Sequence, residues 1–214
     1  MIGRDSAFFG VSQTCAFVLA ANFVMQGMRG MDNGELCFRI LLEGAVASLV
    51  LALLPAAWPP SATLPLALVT AHLFNFTLNG QVFVCVRYCR FFRRSPDVLD
   101  EWLQKRVLRL KASGWLDEAL CLGSKGTGER ARSARSDIDL RLITPVGIAG
   151  WLRTNLLLLS LRSEAFFRAI PLDLYAYDRI ESLKRFDGAE PLLIVLDRKG
   201  RLARTFAHRP LTRA

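Results

Sequence analysis

The chain has 214 residues, of which 52% are hydrophobic, and it carries a net charge of +9 with a mean hydropathy of +0.27. This length allows one or two domains, and the apolar content exceeds that of ordinary soluble proteins and excludes a disordered chain. Two histidines give little material for a zinc site or a serine hydrolase triad. The five cysteines contain no Cys-x-x-Cys pair and predict no disulfide framework.

Three membrane-spanning helices are expected in residues 1–90. Positions 6–28 and 44–86 contain no Asp, Glu, Lys or Arg, and a helix needs about 20 largely apolar residues to cross a bilayer. We expect spans at residues 7–28, 40–58 and 64–86, with a tight connection at Pro59-Pro60.

Basic residues next to a span mark its cytoplasmic end. The third expected span leads directly into four arginines, Arg87, Arg90, Arg93 and Arg94. This pattern predicts a cytoplasmic domain at residues 91–214 and an amino terminus on the opposite side of the membrane.

Polar residues inside these spans are expected to bond within the protein. Glu43 follows Arg39 by one helical turn, which favours pairing between them over a role in transport. His72, Asn75 and Asn79 share one face of the third span and are expected to bond to neighbouring helices.

The remainder of the chain alternates between helical and strand patterns. Residues 97–113 form an amphipathic segment, expected to be a packing helix, although its basic face could instead lie on anionic lipid. Residues 147–169 carry too many charges at their flanks for a fourth span and predict a buried helix. A short helix at residues 180–186 and a strand at residues 191–196 follow.

A Gly-Ser pair precedes two aspartates that are separated by one residue. Gly123 and Ser124 follow an apolar run, and Asp137 and Asp139 follow a short basic loop. On a strand the two aspartates would project from one face, while Ile138 faces a core. Neighbouring carboxylates repel unless a cation lies between them, and magnesium binds one or two carboxylates together with substrate phosphates. The pattern therefore indicates a site for a metal ion and a nucleotide.

The glycine and serine support the nucleotide half of this interpretation. A glycine allows a tight turn close to a ligand, and a helix that begins at Ser124 would direct backbone amides at phosphate. A phosphate loop of the Walker type is set aside because the segment lacks the Gly-Lys-Ser/Thr ending. The expected nucleotide-binding residues are Gly123, Ser124, Lys125 and Arg135.

Gly-Ser, a spacer and Asp-x-Asp in this order resemble the nucleotidyltransferase superfamily related to DNA polymerase beta, over about residues 97–200. The spacer is slightly longer than in the smallest members. The resemblance implies that Asp137 and Asp139 bind metal and that a later strand supplies a third carboxylate. Asp173, in the apolar segment at residues 170–177, fits that place. The resemblance implies a role for Asp173 as the last metal ligand or as the base that activates the acceptor.

These patterns together predict an α-helical transmembrane amino-terminal region at residues 1–90 followed by an α/β, mixed-sheet, nucleotidyltransferase-like domain at residues 91–214. The expected activity is magnesium-dependent transfer of a nucleoside monophosphate from a nucleoside triphosphate to a membrane-associated acceptor. Mn²⁺ could replace Mg²⁺. The catalytic and metal-binding residues are expected to be Asp137, Asp139 and Asp173.

The partners are expected to be the nucleotide and the lipid bilayer, and a homo-oligomer stays open. Nucleic acid is not expected, because no basic segment is interleaved with aromatic residues. The residues around Phe74 to Phe83 resemble the last helix of GtrA-type membrane proteins. That resemblance implies a lipid-linked glycan or envelope precursor as acceptor. A non-catalytic nucleotide sensor or scaffold and a protein- or RNA-modifying transferase stay open as alternatives.

Overall fold

The structure is a computed structural model and describes residues 14–26, 30–87, 89, 91–122, 136–186, 192–208 and 211–213. Helices α1 to α7 are Cys15–Met25, Asn33–Leu53, Pro60–Asn79, Val82–Val86, Pro96–Ala112, Ile148–Phe167 and Arg201–Thr205. Strands β1 to β5 are Glu118–Leu122, Ile138–Ile143, Leu172–Tyr177, Leu192–Asp197 and Leu211–Arg213. A 3-10 helix covers Ile180–Phe186.

The second half of the chain is built on a mixed five-stranded sheet in the order β3-β2-β1-β4-β5. Strand β1 is antiparallel to both β2 and β4, and β2 is parallel to β3. Helix α6 connects β2 to β3, as a parallel pair requires a crossover. One face of the sheet packs on α5 and α6, and the other face packs on the 3-10 helix and α7. The expected combination of a helical region and a mixed α/β region is confirmed.

The local patterns of the sheet agree with the expected strands. Strand β1 is buried throughout, and it ends at Leu122, directly before Gly123. In β2 the side chains of Ile138, Leu140 and Leu142 are fully buried against the α5–α6 layer. Alternation of side chains along β2 therefore leaves Asp139 on the opposite face.

Two helices, α2 and α3, are long and apolar enough to cross a membrane. Helix α2 begins after Asp32 and ends before Pro55, and α3 begins with Pro60, which suits the first turn of a helix. Together they form a hairpin whose apolar side chains are largely exposed, among them Leu41, Leu49, Leu53, Leu64, Leu68, Val69 and Leu73. Exposed apolar surface of this extent indicates contact with lipid or with another apolar partner.

The expected first span is not found among the described residues. Helix α1 has 11 residues, which gives a length of about 16 Å at 1.5 Å per residue and is too short to cross a bilayer. Cys15 at its start forms a disulfide with Cys89, with Cα atoms 4.9 Å apart. The start of α1 therefore lies beside the segment that follows α4, and not at the opposite side of the membrane as expected. This disulfide also corrects the expectation that no cysteines pair.

The expected third span is interrupted near its end. Helix α3 ends at Asn79, and Gln81 adopts a left-handed backbone conformation with φ of 55° before the short helix α4. Gln81 donates from Nε2 to the carbonyl of Leu174 at 3.0 Å, and its Oε1 accepts from the Leu174 amide at 2.9 Å. The break occurs because Gln81 pairs with the open edge of the sheet at β3.

The polar residues of the hairpin bond to one another, but Glu43 does not pair with Arg39. Glu43 contacts Nδ1 of His72 at 2.9 Å and accepts from Asn75 Nδ2 at 3.1 Å. Arg39 instead contacts Glu35, one turn earlier, at 3.0 Å. The expectation that His72 and Asn75 bond to a neighbouring helix is confirmed.

A buried ion pair joins the hairpin to the sheet domain. Glu35 near the start of α2 contacts the guanidinium of Arg162 on α6 at 2.8 Å, and both side chains are almost fully buried. Arg162 also donates to Oδ1 of Asn79 at 2.7 Å and to the carbonyl of Leu174. Glu35 accepts from the Ala176 amide at 3.4 Å. Glu35 and Arg162 together thus connect both helices of the hairpin with the edge strand β3.

We predict that Glu35→Gln destabilises the protein by about 3–5 kcal/mol, because it leaves the buried guanidinium of Arg162 without its counter-ion. The free energy of unfolding of the protein in detergent, measured by chemical denaturation, tests this. Glu101→Gln is the matched control, since Glu101 pairs with Lys105 at the surface, and it should leave stability unchanged. Equal stability of both variants would contradict the assigned role of Glu35.

Candidate active site at the start of strands β2 and β3

The three expected acidic residues lie at one end of two neighbouring parallel strands. Asp139 on β2 is the register partner of Asp173 on β3. Asp137 directly precedes β2. Asp139 is also the register partner of Leu122 at the end of β1. The sheet topology therefore brings together residues that are far apart in the sequence.

Two arginines contact these carboxylates. Arg87, after α4, forms an ion pair with Asp137. Arg141 on β2 contacts Oδ2 of Asp173 at 2.6 Å and lies 3.7 Å from Oδ1 of Asp139. Arg141 also donates to the Asp173 carbonyl at 2.6 Å. If all three aspartates are ionised, two guanidiniums leave one negative charge unbalanced, and Asp139 has the more distant partner.

Burial and mutual repulsion raise the pKa values of two of the aspartates. The pKa of Asp139 is raised to about 8, first by burial and then by the negative charges of Asp137 and Asp173, while Arg141 opposes the shift. Burial also raises the pKa of Asp137 despite its pairing with Arg87. A bound cation would remove the cost of ionising Asp139, which is the electrostatic condition for a metal site.

The donor chemistry fits a magnesium ion on two carboxylates. Among the described residues, no three acidic, histidine or cysteine side chains are grouped closely enough to hold one ion, and Arg141 engages Asp173. Magnesium commonly binds one or two protein carboxylates and completes its shell with phosphates and water. Asp137 and Asp139 would hold such an ion once Arg87 leaves the Asp137 carboxylate. The role of Asp173 as a third ligand stays a prediction, and it competes with the contact to Arg141.

The expected phosphate-binding residues Gly123, Ser124, Lys125 and Arg135 lie outside the described residues. The described residue before them, Leu122, is paired with Asp139. The chain therefore leaves β1 beside the carboxylates.

Sequence reasoning missed Arg87 and Arg141 as members of this site. The alternation that places Asp137 and Asp139 on one face of β2 also places Arg141 there, so that signal was present. Arg87 was interpreted only as a marker of membrane orientation, and nothing in its spacing indicates a contact with Asp137 fifty positions later.

Arg141 also links the site to the buried ion pair at the base of the hairpin. Its guanidinium lies 5.1 Å from the ring centre of Tyr175 and 5.3 Å from that of Phe186. The guanidinium of Arg162 lies 5.5 Å from the ring centre of Tyr175. Tyr175 thus contacts one cation that belongs to the candidate site and another that holds the hairpin.

Comparison with protein-family models, curated proteins and solved structures gives no match to this chain. The geometry of the aspartates and arginines is therefore the basis for assigning a function.

We predict that, in the presence of a chelator, Asp139 contributes a loss of stability as the pH rises from about 4 to about 8. The folded protein holds the Asp139 proton with a pKa of about 8, whereas an unfolded aspartate has a pKa of about 3.9. The folded state therefore binds more protons in this range, and the free energy of unfolding falls with rising pH.

Asp139→Asn should flatten this slope, because the amide does not titrate. Denaturation curves of both proteins at a series of pH values provide the measurement. An identical slope in the variant would show that Asp139 titrates normally in the fold.

Proposed function

We propose that the protein is a membrane-anchored, magnesium-dependent nucleotidyltransferase that transfers a nucleoside monophosphate to an acceptor at the membrane. The observation that carries this proposal is the placement of Asp139 beside Asp173 on parallel strands, with Asp137 next to them and the end of β1 alongside. The strand order β3-β2-β1, with β2 and β3 joined through α6, supports the proposal because it places Asp139 between the end of β1 and Asp173 on β3.

Separate residues of the chain would bind the metal ion, accept the proton and position the base during the transfer. An acceptor oxygen attacks the α-phosphorus, the bond from that phosphorus to the bridging oxygen breaks, and pyrophosphate leaves. A magnesium ion held by Asp137 and Asp139 would neutralise phosphate charge and align the reacting oxygens. Asp173 would take the proton of the acceptor, and Arg141 would hold the Asp173 carboxylate in place.

The hairpin α2–α3 supports placing the acceptor at the membrane. The start of α2 and the end of α3 lie beside the sheet domain, because Glu35 and Asn79 contact Arg162 of α6. The connection between the two helices, at residues 54–59, is uncharged and lies at the other end of the hairpin. The arginines after α3 lie on the sheet-domain side, which favours a cytoplasmic site, whereas the Cys15–Cys89 disulfide at the same end favours an oxidising compartment. We propose a lipid-linked sugar or another envelope precursor as acceptor.

Incubation of the purified protein with Mg²⁺ and each nucleoside triphosphate labelled at the α-phosphate tests the proposal. We predict release of pyrophosphate and transfer of label into the lipid extract of native membranes. Asp137→Asn and Asp139→Asn should each lower the rate at least about 100-fold, which is typical of losing one preorganised electrostatic contact. Glu101→Gln, at an exposed position, should keep the full rate.

A non-catalytic nucleotide sensor is the second candidate, and the contacts of Arg87 and Arg141 with the aspartates favour it. Arginines that neutralise the carboxylates would let the site bind phosphates without a metal-dependent reaction. The sensor predicts that nucleotide raises the melting temperature, that Arg87→Gln weakens this effect, and that no pyrophosphate is released with any nucleotide. Label that enters protein or RNA rather than lipid would contradict both candidates and support a macromolecule-modifying transferase.

A further inference from the structure

Helix α6 carries a stripe of exposed apolar side chains. Ile148, Leu152 and Leu156 are 83%, 43% and 50% exposed. Their spacing of four residues places them on one face of the helix. Val146, just before the helix, is fully exposed as well. The sequence predicted a buried helix that connects two strands, whereas this stripe of α6 is exposed.

The same helix lies across the base of the hairpin. Near its start, Trp151 donates from Nε1 to the carbonyl of Gly34 at 2.8 Å and packs against Phe38 with ring centres 5.9 Å apart. Near its end, Ser163 donates to the carbonyl of Leu78 at 3.4 Å. Helix α6 therefore contacts α2 at its first turns and α3 at its last.

The other faces of α6 already have partners. Leu158, Leu161 and Ala165 pack in the core against the sheet. On another side, Glu164 and Ser160 contact Arg106 and Arg109 of α5. Helical spacing places the stripe roughly opposite the core face: Ile148 lies one turn before Trp151, on the side that meets α2, and Leu156 lies one turn before Ser160, on the side that meets α5.

The stripe begins beside the base of α2, because Ile148 lies one helical turn before Trp151 and lines the same cavity. Phe38, which contacts Trp151, is followed on α2 by Ile40 and Leu41, with 61% and 58% of their surfaces exposed. The exposed side chain of Arg153 lies beside Leu152, and a basic residue at the edge of an apolar helix face suits the headgroup region of a bilayer.

We propose that α6 lies in the interfacial plane of the bilayer that the hairpin crosses, with Ile148, Leu152 and Leu156 inserted among the lipids. The occupant of this face is the lipid interface rather than a protein. This inference depends on the membrane anchoring in the proposed function and is independent of the transfer chemistry. Insertion of α6 into the interface would hold the sheet at a fixed height above the membrane, because α6 connects β2 to β3.

Spin labelling of the full-length protein in lipid nanodiscs tests this contact. Leu152→Cys and Leu156→Cys are made in a Cys37→Ser background, since Cys37 is exposed and the free thiols of Cys85 and Cys121 are buried. The accessibility of each nitroxide to oxygen, which partitions into lipid, is compared with its accessibility to a water-soluble nickel chelate.

Two matched positions calibrate the measurement. Leu49→Cys reports the exposed surface of α2, and Leu108→Cys reports an exposed position on α5, beyond α6 from the hairpin. We expect labels at positions 152 and 156 to resemble position 49, with an oxygen-to-nickel ratio several-fold above that of position 108.

Labels at positions 152 and 156 that are as accessible to nickel as position 108 would overturn the inference while leaving the anchored enzyme intact. Labels shielded from both reagents would also overturn it, because they would indicate a protein partner. If position 49 is also accessible to nickel, the hairpin does not cross the bilayer, and both the inference and the anchoring fail. Catalysis is tested separately by pyrophosphate release.

Discussion

The placement of two carboxylates side by side on parallel strands is the constraint on which the candidate site depends. Asp139 and Asp173 are register partners, and burial among negative charges makes their simultaneous ionisation costly. Arg141 relieves part of this cost through Asp173, and its more distant contact with Asp139 leaves that carboxylate suited to a further cation. A fold that needed only stability could replace such a group with apolar side chains, since buried ion pairs are weak stabilisers. We therefore interpret the charge cluster as functional, and Arg141 as one of its members.

The hairpin α2–α3 and the candidate site are joined by a short series of charged and aromatic contacts. Glu35 holds Arg162, Arg162 lies against Tyr175, and Tyr175 lies against Arg141. Gln81 pairs with the backbone of Leu174, the residue directly after Asp173. The edge strand β3 is thus covered by the helical region instead of being left open, which protects an edge that could otherwise pair with another chain. The hairpin therefore helps to position the strand that carries Asp173, besides tethering the domain.

Local sequence patterns predicted the elements of the sheet domain well and the helical region less well. Alternating apolar residues identified β2 and β3, and the resemblance to the nucleotidyltransferase superfamily implied that Asp173 lies with Asp137 and Asp139, as the pairing of β2 with β3 places it. Hydropathy identified α2 and α3, but it placed the start of α2 too late, because Glu35 and Arg39 are neutralised by long-range pairing with Arg162 and by each other. The disulfide of Cys15 with Cys89 and the contact of Arg87 with Asp137 join distant segments. No periodicity or spacing encodes such contacts, and they require the tertiary structure.

The most direct test of this account is an experimental structure of the full-length protein with Mn²⁺ and a non-hydrolysable nucleoside triphosphate. The account predicts anomalous density for a manganese ion bound by carboxylate oxygens of Asp137 and Asp139 and by the nucleotide phosphates, with Arg141 still paired with Asp173. Binding of Mn²⁺ would require Arg87 to release Asp137, so that side chain should have moved. Nucleotide and metal bound elsewhere, or the three aspartates still paired only with Arg87 and Arg141 at saturating Mn²⁺ and nucleotide, would contradict it.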